Sequence, residues 1–190
     1  MDLFDVIKGR RSCRKYLPDP VGEDLVEKII EAAMWAPSPA NNQPWEFVAV
    51  TNRDVIGKIF EEADYRKKIL YEKSGWKWIN RYDVGFLKDV PLIIAVLGDP
   101  KKSGADLFLT HGAEAYQHAC SAAIQNMLLT AHAVGLGGLW FTLFEKDSIR
   151  QILNIATDLD PVALVCIGKP GGDPFPTPRK EMKEKIRYIS

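Results

Sequence analysis

Ala36-Pro37-Ser38-Pro39-Ala40-Asn41-Asn42-Gln43-Pro44-Trp45-Glu46-Phe47 lies where one hydrophobic period gives way to another. Upstream, Val21 to Trp35 carries Leu25, Ile29, Ala32 and Ala33 at helical spacing, has acids early and stops before Pro37. Downstream, Trp45 to Thr51 alternates as a strand does. Between them the prolines fix a rigid loop whose amides offer both donors and acceptors. Those amides either cap their own backbone in a helix-to-strand turn or read a polar ligand.

Towards the N-terminus a short amphipathic segment (Leu3, Phe4, Val6, Ile7) runs into Arg10-Arg11-Ser12-Cys13-Arg14-Lys15, four cations and a hydroxyl in one stretch. Tyr16-Leu17-Pro18 follows, where a helix does not easily continue. Cations on a chain leaving a helix can converge on one dianion, Arg with forked hydrogen bonds and Ser with an extra donor. A phosphate group is the natural guest, and a solvated basic turn the plain alternative.

Towards the C-terminus, Asp54 to Ala63 and Tyr65 to Trp78 read as two charged, aromatic-rich peripheral helices. Pro91 to Gly98 reads as a buried strand. Ala105 to Val134 reads as a long central helix, or one with a broken start, lined by small residues that permit close packing on several sides. Leu136 to Thr142 and Val162 to Ile167 are strand-like, with a helix from Lys146 to Ile155 between them. After Gly168, Pro170, Pro174, Pro176 and Pro178 force an extended path over a surface. Wrapping a partner subunit would explain such a tail, and Ile186, Tyr188 and Ile189 alternate as a short strand that could extend a neighbour's sheet.

With 190 residues and no composition break, the chain is expected to form a single domain over 1–190. Lys plus Arg equals Asp plus Glu at 25 each, which gives no global field for nucleic acid or an anionic membrane. The apolar runs are too short to span a bilayer, and acids at Asp2 and Asp5 oppose a signal pattern, so a cytoplasmic location is expected. Cys13, Cys120 and Cys166 lie too far apart in sequence for a zinc motif or a disulfide framework. His111, Glu114 and His118 could share one helix face, but no second stripe of ligands accompanies them, and no metal is expected.

Four segments stand in order along the chain: RRSCRKY from Arg10, APSPANNQPWEF from Ala36, GLGGLWFTLF from Gly135 and IGKPGGDPFPTPRK near the end. Together they resemble the FMN-dependent nitroreductase family, over essentially the whole chain. The resemblance implies an α+β fold: a mostly antiparallel central sheet flanked by helices, with the C-terminal arm exchanged between the subunits of an obligate homodimer. It implies FMN as cofactor, NADH or NADPH as electron donor, and a ping-pong transfer of two electrons to a nitroaromatic, quinone or related small acceptor. A flavin binder without efficient turnover is the alternative, as is a divergent dehydrogenase, dehalogenase or flavin-fragmenting branch.

By that resemblance Arg10 and Ser12 hold the FMN phosphate, Arg11 contributes mainly backbone, and Arg14 sits beside the flavin N1/O2 edge. A cation there would stabilise charge on the reduced ring. Pro37, Ser38, Pro39, Asn41 and Gln43 form a loop that reaches the flavin bound mainly to the other subunit. Trp140, Phe141 and Thr142 lie against one flavin face, although Thr142 stands where Gly is common. Arg179, with Lys180 as second choice, completes the phosphate site. The resemblance assigns no catalytic side chain, because the flavin carries the chemistry. Tyr71, Trp76 and Trp78 are candidates for stacking on a planar acceptor.

Overall fold

The computed structural model describes residues 2–173, 175 and 177–189, so Pro174 and Pro176 of the proline-rich tail lie outside the described residues. Its centre is a four-stranded sheet in the order β1-β2-β4-β3. The strands are β1 (Trp45–Val50), β2 (Leu92–Gly98), β3 (Gly137–Phe141) and β4 (Asp160–Gly168). All three pairings are antiparallel. Trp45 faces Gly98, which faces Asp160, at one end of the sheet. Leu92, Ile167 and Gly138 mark the other end.

β2 is buried at every residue, as a central strand covered on both faces must be. Its period of two divides the core cleanly. Ile93, Ala95 and Leu97 join Leu139, Phe141, Leu164 and Cys166 on one face, covered by α3 (Arg53–Ser74) and α6 (Lys146–Leu153). Leu92, Ile94 and Val96 join Ala163, Val165 and Ile167 on the other, beneath α2 (Glu23–Met34) and α5 (Ala115–Ala133). Ala119, Cys120, Ala123 and Ala131 of α5 are all buried there, so the small residues serve close packing on the chain's own sheet.

One sequence expectation changes. The two helices expected at 54–63 and 65–78 are one helix, α3, which Asn52 caps and which ends at Gly75 in the left-handed region (φ 64). A separate short helix, α4 (Lys77–Arg81), then follows. Of the two readings of Ala105 to Val134 the broken start holds: a 3-10 turn at Gly104–Phe108 precedes α5, which begins at Ala115. The cause is local: the Asp106 carboxylate accepts from the N–H groups of Glu114 (2.8 Å) and Ala115 (2.6 Å). Ser103 Oγ accepts from Tyr116 N–H at 3.1 Å, so the first turn of α5 is capped at that point. Ile186, Tyr188 and Ile189, whose alternation suits a strand on a neighbour's sheet, pair with no strand of their own chain among the described residues. Tyr188 and Ile189 are 86% and 91% exposed, and a strand without a neighbour leaves its ladder unpaired.

Candidate functional site

The basic stretch begins where α1 (Leu3–Gly9) ends, with the Arg10 N–H still donating to the Val6 carbonyl at 3.0 Å. Arg11 turns back and donates to the carbonyls of Lys8 and Arg10, so its guanidinium closes α1. The chain then runs along the free edge of β3, where Cys13 N–H donates to Gly138 at 3.0 Å and Ser12 bridges Gly138 in parallel. Gly137 permits this approach: a Cβ on it would lie 2.7 Å from Cys13 Cβ and Sγ. From the other side Gly171 N–H donates to Lys15 (2.8 Å) and Leu17 N–H to Lys169 (2.9 Å). Tyr16 is the anchor, its hydroxyl donating to the Cys13 carbonyl at 2.8 Å, and burial pushes its phenol far above the ordinary range.

A cavity of about 860 Å³ opens between this stretch, the end of α5 and the tail, lined by Arg10, Ser12, Arg14, Lys15, His132 and Arg179 among others. None of the ion pairs between described side chains involves these cations. Burial lowers the Arg10 pKa, and the neighbouring charges of Arg11 and Arg179 lower it further. Positive charge crowded in this way, against the single carboxylate of Asp173 in the lining, fits a dianion, the phosphate of a mononucleotide cofactor included. Arg179 reaches the cavity from within the same chain; Lys180 is exposed and does not line it.

The Pro37–Gln43 loop stands at the other end of the sheet. Pro39–Asn41 forms a 3-10 turn in which Ala40 (φ 48) and Asn41 (φ 56) take the left-handed region, and Gln43 (φ 45) does so as well. Three non-glycine residues in that region cost about 1–3 kcal/mol each. Ser38 Oγ accepts from Gln43 N–H (3.0 Å) and Asn42 donates to the Lys102 carbonyl (3.4 Å), which leaves Asn41 and Gln43 exposed. The expected site is therefore split within one chain. Arg10, Ser12, Arg14 and Arg179 come together, while Pro37, Ser38, Pro39, Asn41 and Gln43 form a second group well away from them.

The expected aromatic residues fall into different surroundings. Phe141 is 2% exposed and meets Phe86 edge-on at 6.1 Å, because odd and even residues of β3 face opposite sides, so its ring belongs to the core. Trp140 points the other way and is partly exposed, and Thr142 lies past the strand end, its carbonyl accepting from Phe144 N–H at 3.0 Å. Trp76 and Trp78 stack at 6.1 Å, and Trp78 meets Tyr82 edge-on at 6.5 Å. Arg14 lies over the Tyr82 ring at 5.6 Å, so the aromatic ladder leads to the basic stretch. Tyr71 is not part of it; it lines a small depression beside Asp64 and Lys67. The His111-Glu114-His118 stripe is broken, since only His118 lies inside α5. His132 was not singled out in the sequence; its place one turn before Gly135-Leu136-Gly137 was the available signal.

The sequence model of the Nitroreductase family matches residues 7–169, and the chain belongs to that family. A protein of Methanothermobacter thermautotrophicus, provisionally named an NADH dehydrogenase/NAD(P)H nitroreductase, is 32% identical over 178 residues, 92% of this chain and 80% of its own. The crystal structure of a BluB-like flavoprotein from Clostridium difficile 630 superposes with a TM-score of 0.81 at 26% identity, covering all of both chains. Iodotyrosine deiodinase, solved with FMN and 3-iodo-L-tyrosine, shares the fold at a TM-score of 0.85 and 24% identity over the full length of both chains.

Proposed function

We propose that this protein is an FMN-dependent oxidoreductase that accepts hydride from NADH or NADPH and delivers two electrons to a small planar acceptor in a ping-pong cycle. The carrying observation is the unpaired cation cluster of Arg10, Arg14, Lys15 and Arg179 around one cavity. FMN, when bound, supplies the hydride and two-electron chemistry. Arg10, Ser12 and Arg179 hold its phosphate, and Arg14 places a cation beside the ring, where charge develops on reduction. The flavoprotein at 26% identity and the archaeal NAD(P)H relative support this reading. Trp76 and Trp78, 55% and 60% exposed, offer flat faces for a nitroaromatic, a quinone or a related ring. The Asn41 and Gln43 amides serve the cofactor of a second copy, which makes the working unit a homodimer.

Adding NADPH or NADH to the purified protein under argon tests the assignment. Bleaching of the yellow absorbance, followed by its return on adding a quinone or nitroaromatic, is the expected outcome. Bound FMN that stays oxidised would make the protein a flavin binder instead.

A further inference from the structure

We infer that Tyr82 is a positioning residue for Arg14: its ring face holds the guanidinium at the cavity and so sets the redox potential of the flavin bound there. The inference rests on the FMN reading above. Arg14 stands between two pinned neighbours. Cys13 N–H donates to the Gly138 carbonyl at 3.0 Å, and the Tyr16 hydroxyl donates to the Cys13 carbonyl at 2.8 Å. Cys13 and Tyr16 are buried, whereas Arg14 is exposed and lines the cavity. With the backbone fixed on both sides, the side-chain rotamer alone decides where this charge stands, and a long arginine side chain has many rotamers to choose from.

Arg14 enters none of the ion pairs between described side chains. Asp83, the acid next to Tyr82, is engaged in its own turn, where its Oδ1 accepts from Gly85 N–H at 2.7 Å. The Arg14 guanidinium lies instead over the Tyr82 ring, 5.6 Å from the centroid, within the range of about 6 Å over which a ring face attracts a cation. A ring face holds the charge without saturating its N–H donors as a carboxylate would, so they stay available to a ligand. Tyr82 is itself held. Its N–H closes α4 on the Ile79 carbonyl at 3.1 Å, and Trp78 meets its ring edge-on at 6.5 Å. Its side chain packs on the same core cluster that contains Cys13 and Tyr16, so one core fixes both members of the pair. Tyr82 does not line the cavity, and it reaches a ligand there through Arg14. Negative charge gathers on a flavin ring as it is reduced, so a cation kept beside the ring favours the reduced form and raises the potential. Released from Tyr82, Arg14 spreads over its rotamers and that contribution falls.

The test is a potentiometric titration of the FMN-loaded protein for wild type, Tyr82→Phe and Tyr82→Leu, each also combined with Arg14→Gln. Tyr82→Phe keeps the ring face and should match wild type. Tyr82→Leu should lower the equilibrium constant for two-electron reduction about tenfold, a fall of about 30 mV. In the Arg14→Gln background the same change should shift nothing further. Flavin content should stay at the wild-type level, because Arg10 and Arg179 still hold the phosphate. Replacing Tyr82 with pentafluorophenylalanine keeps the shape of Phe but makes the ring face repel a cation. It should reproduce the Leu shift, and it decides the matter if the Leu variant does not fold. A potential unmoved by Tyr82→Leu or by fluorination, a Phe variant shifted as far as Leu, or an equal shift in the Arg14→Gln background would each overturn the inference with FMN still bound. Wild type that takes up no FMN would overturn both this inference and the FMN reading.

Discussion

Arg10 and Asn41 stand beyond opposite ends of the same sheet, Arg10 near the Gly138–Ile167–Leu92 end and Asn41 just before the Trp45–Gly98 end. The six residue steps of β2 between those ends span about 20 Å. A mononucleotide that touches both residues must take them from two copies of the chain. Arg10→Ala and Asn41→Ala homodimers should then both lose flavin. Co-expressed in equal amounts, they should recover about a quarter of the wild-type flavin content, because a mixed dimer has one intact site and one doubly damaged site. Absorbance per chain reads this directly, and no recovery on mixing would place both residues in the same copy's site.

Within the basic stretch, neighbours have unlike roles. Arg10 is half-buried among like charges, whereas Lys15 is exposed and its carbonyl already holds Gly171. Arg10→Ala should weaken FMN retention by about 1.5–3 kcal/mol, and Lys15→Ala by much less. Equal losses in a fluorescence titration would refute the phosphate assignment.

Under the proposed function, the aromatic ladder sets acceptor choice independently of cofactor binding. Trp76 stacks on Trp78, Trp78 meets Tyr82 edge-on, and Arg14 over Tyr82 joins this ladder to the cavity that Arg10 and Arg179 line. Trp78→Ala should alter the ratio of kcat/KM between a quinone and a nitroaromatic by about tenfold, a loss of roughly 1.4 kcal/mol of ring stacking. Flavin content should stay at the wild-type level. Loss of folded protein would instead make these rings anchors of α4.

The sequence shows the strands, α2, α6 and the basic stretch because each has its own period or punctuation, as with the buried run Leu92–Gly98 or the prolines after Ala36. A broken start to α5 was legible but its first residue was not, since that depends on Asp106 reaching eight and nine residues along the chain to free N–H groups. Which face of β3 Phe141 takes was not legible, because a resemblance assigns a segment to a ligand without saying which way each side chain points. His132 enters the site only through packing of α5 against Gly9, a contact between residues far apart in sequence.

Acid stability should depend on Asp160. Burial disfavours its charge, but hydrogen bonds from Lys146 and Tyr116 (2.7 Å) outweigh that and hold its carboxyl below the usual range, with Arg150 adding a contact at 2.6 Å. A depressed folded-state pKa contributes stability that is present above the unfolded value and lost as pH falls through the folded one. Asp160→Asn should therefore cost about 1–3 kcal/mol in urea melts at pH 7. The difference from wild type should begin to shrink as the pH falls through the unfolded value of about 3.9 and be lost only below the depressed folded-state value, where both carry an uncharged group. A gap that persists unchanged at pH 3 would show that shape rather than charge is responsible.

Removal of the tail should abolish cofactor binding and dimerisation together. Tyr16 pairs with Pro170, Gly171 closes on Lys15, and Arg179 brings its charge to the Arg10 cavity, so residues after Lys169 form one wall of the site. Beyond Arg179, Met182, Tyr188 and Ile189 are 72%, 86% and 91% exposed, an arrangement that leaves apolar surface in water unless a second copy covers it. Each such side chain gains about 1.5–3 kcal/mol on burial, enough in sum to hold an arm against a partner. Truncation after Lys169 should give a colourless protein that runs as a monomer in gel filtration, whereas Arg179→Ala alone should lower flavin content and leave the dimer intact. A truncated chain that remains dimeric and yellow would show that neither the wall nor the arm is needed.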